Sequence, residues 1–303
     1  MGHIQFHGPT RVIDSQVLFH NKVIEGTAGN PNQYRVLVPW VMQWVLDGGP
    51  DVVWSLDLAI VVRVVQQVLV FVAFGLYLGA LGIRLERILV GMSVLAMGMI
   101  NGIRWADLSF STYTDVAFYL LAGWMILRGR YIWTLPVIAL AGLNRETSVL
   151  IPFCVLSALA WDGDRSWEIL GVAMAGMAIW CVEFVSLRLL FGSQMPDPGY
   201  NGLAFPHLWK HNLTHPLGWM VLILTLEAFP AWTAWKWRVL DQRIRWMFWA
   251  LVPAWFLVMT LGANFVEARV FLVPQVMVFL PAFLLTFGYK PPYKPIFLKG
   301  KLT

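Results

Sequence analysis

Charge is what this sequence has least of. Asp, Glu, Lys and Arg make up 13% of the 303 residues while 58% are hydrophobic, and the mean hydropathy is +0.65. So little polar side chain cannot cover a water-soluble globule of this length, and a helical membrane protein is the class that remains. Cysteine is scarce as well. Cys154 and Cys181 both stand in apolar stretches, which leaves no basis for a disulfide framework, a thiol relay or a zinc knuckle. Basic residues outnumber acidic ones by 22 to 17. Without a polar surface to gather on they form no nucleic-acid footprint, and no nucleic-acid partner is expected.

What the sequence does hold is apolar runs, interrupted by glycine and proline and accompanied by 17 tryptophans, as suits helices that break inside a bilayer and anchor at its surfaces. Runs at about 54–80, 88–103, 113–128, 131–160, 167–191, 216–235, 246–262 and 269–288 read as spanning segments. The expected fold is all-α and polytopic, with about seven full spans plus a broken or re-entrant helix pair at 131–160, where Asn144-Arg145-Glu146-Thr147 interrupts the run. Residues 1–53 read as an external amphipathic segment and loop, 54–288 as the transmembrane helical domain and 289–303 as a cytoplasmic basic tail. If 54–80 enters from outside, thirteen of the 22 basic residues fall on the cytoplasmic side, among them Arg84, Arg128, Arg165, Arg243 and Lys294. The positive-inside rule then places the amino terminus outside a bacterial-type inner or plasma membrane and the carboxyl terminus in the cytoplasm.

In that orientation the reactive side chains collect at the outer mouth. Asp14 stands where it can cap a short helix with Val17, Leu18, Val23 and Ile24 on its apolar face. A carboxylate there either takes the proton of an attacking hydroxyl or is an ordinary loop cap. Arg35, which opens the run Val36-Leu37-Val38-Pro39, suits a lipid phosphate or a snorkelling interface position. Arg145 and Glu146 neutralise each other in a structural reading; in a functional one Arg145 faces a phosphate and Glu146 orients it or a bound cation. Glu267 and Arg269 point to different faces if their turn is helical, one of them to a pocket, or else form an ordinary loop charge pair. Asp115 reads as a helix-start carboxylate or a cavity residue. His207, His211 and His215 recur every four residues, but Pro206 and Pro216 bracket them and no acid lies between, so they are weak ligands for a divalent metal. Asn212-Leu213-Thr214 matches a glycosylation acceptor pattern.

Four segments together, Gln33-Tyr34-Arg35-Val36-Leu37-Val38-Pro39, Thr114-Asp115, Leu143-Asn144-Arg145-Glu146-Thr147 and Glu267-Ala268-Arg269-Val270-Phe271, resemble bacterial integral-membrane proteins related to the GT-C glycosyltransferase superfamily. The likeness runs from about residue 10 to residue 288. It implies transfer of a sugar from a polyprenyl-phosphate donor to an extracytoplasmic lipid or glycan acceptor. It makes Asp14 the catalytic carboxylate, places Arg35, Arg145 and Arg269 around the donor phosphate, and makes Glu146, Glu267 and Asp115 supporting acids. Membrane lipids are the implied surroundings, and a divalent cation is compatible with the chemistry without being required. In that family the first external loop follows a span, whereas this chain starts within the loop. A membrane-protein partner is therefore expected in place of the first helix, and the alternative reading is a non-catalytic structural or assembly subunit that retains the fold.

Overall fold

A computed structural model describes residues 9–47, 56–103, 110–192 and 207–287, and in them the chain is all-helical. The tail expected at 289–303 lies outside these residues. The helices are α1 (Pro9–Ile24), α2 (Leu37–Asp47), α3 (Leu56–Ala80), α4 (Leu85–Ile103), α5 (Ser111–Leu127), α6 (Thr134–Asn144) and α7 (Leu150–Ser157). They continue with α8 (Ser166–Phe191), α9 (His207–Thr214), α10 (Pro216–Leu226), α11 (Phe229–Trp235) and α12 (Gln242–Gly262). The last is α13 (Arg269–Thr286), which contains a π-helical turn at Gln275–Phe279.

Among the described residues, four helices are long and apolar enough to cross a membrane: α3, α8, α12 and α13. The pair α10 and α11, bent by 67°, makes a fifth if it is one span. The seven full crossings plus a broken pair expected from the apolar runs are therefore corrected to four or five. Run length misleads because one run need not be one helix. Residues 131–160 divide at Arg145, whose extended backbone (φ −163°, ψ 141°) ends α6 before a 3-10 turn at Glu146–Val149 leads into α7. Glu227 adopts φ 54°, a left-handed value that stops α10 and turns the chain into α11. α5, at 17 residues, is shorter than the ~20 a bilayer core asks of a helix.

Packing follows from where bulk and small residues meet. α3 lies along α5, α6 along α8, and α7 against α12. Gly123 on α5 permits the first contact, because a Cβ there would stand 2.8 Å from the Tyr77 ring of α3 and 2.7 Å from Met277 of α13. Large side chains in the core are fixed at their polar ends. Tyr77 OH donates to Met277 O at 2.7 Å, and Trp255 Nε1 donates to Val270 O at 2.9 Å while packing edge-on against Tyr119. Outside the core, α3 exposes Val61, Val64, Val65, Val68, Leu69 and Val72, a face suited to lipid rather than water.

α12 defines the two ends of the bundle. At its start Asp241 caps the helix by accepting from Arg243 N, and the guanidinium of Arg243 binds the same carboxylate at 2.8 Å. Burial works to raise the Asp241 carboxyl, but the hydrogen bonds and charge of Arg243, with Arg245 beyond, hold it below the usual carboxylate range. Gln242 Nε2 donates to Ala160 O, Arg165 to Gly129 O and Arg87 to Leu284 O. These contacts gather basic residues at one end. The helix has 21 residues, so its other end is ~30 Å away, where Met259, Gly262 and Ala263 border a cavity.

Candidate functional site

The cavity, about 300 Å³ in volume, takes its polar wall from three separated parts of the chain. The first is the turn between α1 and α2. Gln33 is fully buried there, with Nε2 donating to Val23 O at 3.0 Å and Oε1 accepting from Ala28 N at 2.8 Å. Tyr34 OH donates to Gly192 O at 2.9 Å, and the Arg188 guanidinium sits 4.4 Å from the Tyr34 ring. Val23, Ala28, Tyr34, Val36 and Leu187 form a small core around this turn. With its neighbours so held, Arg35 stands with Nε 3.6 Å from Glu146 Oε2.

The second part is the break between α6 and α7. Asn144 Nδ2 donates to Ser111 O at 2.9 Å and Ser148 Oγ to Arg145 O at 2.7 Å, which clamps the tip. Its extended backbone sends Arg145 to Asp115, with Nη1 3.7 Å from Oδ2. Thr147 Oγ1 donates to the same oxygen at 3.4 Å. Asp115 is 0% exposed and Arg145 6%, so each makes the burial of the other tolerable. The third part precedes α13, where Arg269 Nη2 lies 3.0 Å from Glu267 Oε2.

Arg35, Arg145, Glu146 and Glu267 all border the cavity, and Trp180 and Phe184 of α8 supply much of its apolar wall. Ion pairs join Arg35 to Glu146, Arg145 to Asp115, and Arg269 to Glu267. Among the described residues, the buried oxygens Asp115 Oδ1, Glu146 Oε1 and Asn144 Oδ1 have no hydrogen-bond partner. A chamber with paired cations on one wall and aromatic and aliphatic side chains on the other suits an amphiphile with an anionic head.

Several expectations change. Asp14 is no N-cap: α1 begins at Pro9, five residues earlier, and Asp14 is exposed on it and does not border the cavity. The buried face of α1 carries Gln16, His20 and Val23 instead, and Leu18 is exposed. Of the two readings of Glu267 and Arg269 the loop charge pair is the one found, because Glu267 (φ −82°, ψ 55°) is not helical. Asp115 is the fifth residue of α5 rather than its cap. The rings of His211 and His215 stack at 4.5 Å, while the side chain of His207 lies outside the described residues. Among the described residues no group of three or more His, Cys, Asp or Glu is placed to hold a metal ion. Asn212 is 1% exposed and its amide is fully used, donating to Thr260 O and Ala263 O and accepting from Phe265 N; it is closed to glycosylation in this fold. Trp180, Phe184 and Met259 escaped sequence reasoning because apolar residues on apolar helices carry no polar signal. Compared with family models, with curated proteins and with solved structures, the chain has no significant match.

Proposed function

We propose that this membrane-associated helical protein binds the phosphate of a polyprenyl-linked sugar in the cavity and transfers the sugar to a lipid or glycan acceptor outside the cytoplasm. The observation that carries the reading is the meeting of Arg35, Arg145 and Glu267 at one chamber with an apolar wall, with Arg269 paired to Glu267 beside it. The segments bordering it are among those that resemble GT-C glycosyltransferases, and the proposal takes over their chemistry, not their span count. Orientation has separate support. The cavity and the basic end containing Arg87, Arg165 and Arg243 lie at opposite ends of the bundle, and basic ends favour the cytoplasm.

Glu146 takes the catalytic part in this reading, because it borders the cavity and its Oε1 is buried without a hydrogen-bond partner. It accepts the proton of the acceptor hydroxyl as that oxygen bonds to the anomeric carbon. The bond from that carbon to the phosphate oxygen breaks, and the prenyl phosphate leaves with its added charge balanced by the arginines. In the test, purified protein in lipid nanodiscs is given a short-chain prenyl phosphoryl sugar and a lipid acceptor. Transfer is expected, and Glu146→Gln should lower turnover by about 100-fold or more while donor still binds. Failure to bind the donor would refute the reading. Binding without transfer would favour the second reading, a non-catalytic membrane subunit, which the exposure of Asp14 away from the cavity supports.

A further inference from the structure

The charged side chains that line the cavity already have partners of opposite sign before any ligand enters. Arg35, Arg145, Glu146 and Glu267 border it; Arg35 lies against Glu146, Arg145 reaches Asp115 behind the wall, and Glu267 is met by Arg269. An anionic head that binds Arg145 draws it from Asp115, and the three carboxylates of this region are not equally able to stand alone. Glu146 and Glu267 keep about a quarter of their side chains exposed, at 24% each, so each still meets water although Glu146 Oε1 is itself buried. Asp115 has 0%. Its Oδ2 is held only at 3.7 Å by Arg145 and 3.4 Å by Thr147, and its Oδ1 has no hydrogen-bond partner among the described residues. A carboxylate with so little support becomes a buried uncompensated charge when its arginine turns away, and such a group takes a proton instead.

We infer that binding of a phosphodiester head at this cavity is coupled to uptake of one proton by Asp115, which releases Arg145 to the ligand. The inference rests on the proposed lipid-phosphate reading of the site and deepens it by assigning Asp115 as a proton-linked positioning residue. The bookkeeping of charge is simple: one anion and one proton enter together, and the chamber stays neutral. The groups acting on Asp115 are Arg145, Arg35, Thr147 and Glu146. Tyr119, on the same helix, is committed to Thr147 O. From α3, Arg63 lies over the Phe110 ring at 4.1 Å, and Gln66 donates to Phe110 O and to Thr114. Proton uptake fixes the sign of the pH dependence, since a complex that holds one more proton than its free parts weakens as pH rises, by about tenfold per unit once Asp115 is ionised in the free protein.

The experiment is titration calorimetry of the full chain in nanodiscs with a short-chain prenyl phosphoryl sugar. Its phosphodiester does not itself titrate over the neutral range, so any proton belongs to the protein. Repeating the titration in two buffers of different ionisation enthalpy reads the proton count directly from the wild type. The expected result is about one proton taken up per donor bound, with the affinity falling about tenfold per pH unit on the alkaline side. Binding with no proton uptake would overturn the inference and leave the donor site standing, because Arg145 would then be serving Asp115 and phosphate together. Absence of binding would overturn both. Asp115→Asn, which keeps size and hydrogen-bonding capacity, should bind with no proton uptake and with a flat pH profile. If that variant still takes up a proton, another acid is the acceptor and the assignment to Asp115 fails; if it does not fold, the wild-type count decides alone.

Discussion

Asn212 donates to the Thr260 and Ala263 carbonyls and accepts from the Phe265 amide, so a single buried amide joins α9 to the segment leading to Glu267. Asn212→Ala would leave those groups unsatisfied at a cost of about 1–3 kcal/mol. A lower thermal midpoint in detergent is expected, together with weaker donor binding as the Glu267–Arg269 wall loosens; an unchanged midpoint would mean that water replaces the amide. The buried Arg145–Asp115 pair makes a sharper contrast. Arg145→Met should destabilise by about 3–5 kcal/mol, because it strands Asp115, whereas the double change Arg145→Met with Asp115→Asn should recover much of the loss. Equal unfolding midpoints for the single and double variants would refute the coupling. At this scale the sequence exposes residue types but not partners. Arg145 and Asp115 are each conspicuous in apolar surroundings, yet local spacing could join Arg145 only to Glu146, and the actual pairing crosses from α5 to the tip after α6.

Among elements, legibility depended on whether a break leaves a polar mark. Asn144-Arg145-Glu146-Thr147 could be read as an interruption because it sets four polar residues inside an apolar run. The bend at Glu227 leaves no such mark, since a lone acid between apolar stretches looks like a residue of one continuous span; it decides only between four and five spans, and the short α5 accounts for another of the expected crossings. Gly123 illustrates a constraint that no periodicity reveals. Gly123→Leu would drive a side chain into Tyr77 and Met277 and is expected to cost at least about 1–3 kcal/mol, read as loss of the folded, monodisperse species on extraction. Asp241 gives the element-scale dependence on pH. Its folded carboxyl titrates below the usual range, so the stability it lends α12 is complete above the ordinary carboxylate value and is lost as pH falls through the folded value. Asp241→Ala removes both the cap and the contact with Arg243 and should cost about 1 kcal/mol at neutral pH. The gap between variant and wild type should close in acid; a gap constant down to strongly acidic pH would show that charge plays no part.

The whole molecule is polarised, with basic helix ends at one side and paired charges around a chamber at the other. In a variant with Cys154 and Cys181 replaced, a cysteine at Glu267 should react with an impermeant reagent in intact cells and one at Arg243 should not; the opposite pattern would reverse the proposed orientation. Polarity of this kind also constrains how the protein is made. The arms of the α6–α7 hairpin, 11 and 8 residues long, are each too short to partition into a bilayer as an independent segment, so in the proposed orientation the hairpin would enter as a unit with Arg145 at its leading tip. An arginine crossing lipid alone meets a barrier of about 2.5–3.5 kcal/mol on insertion scales. Asp115, thirty residues earlier in the chain, emerges from the ribosome first, so the counter-charge is already synthesised when the tip arrives. Biogenesis thus inherits its order from chain order: a circular permutation that made α6–α7 before α5 would send Arg145 into the membrane ahead of its acid.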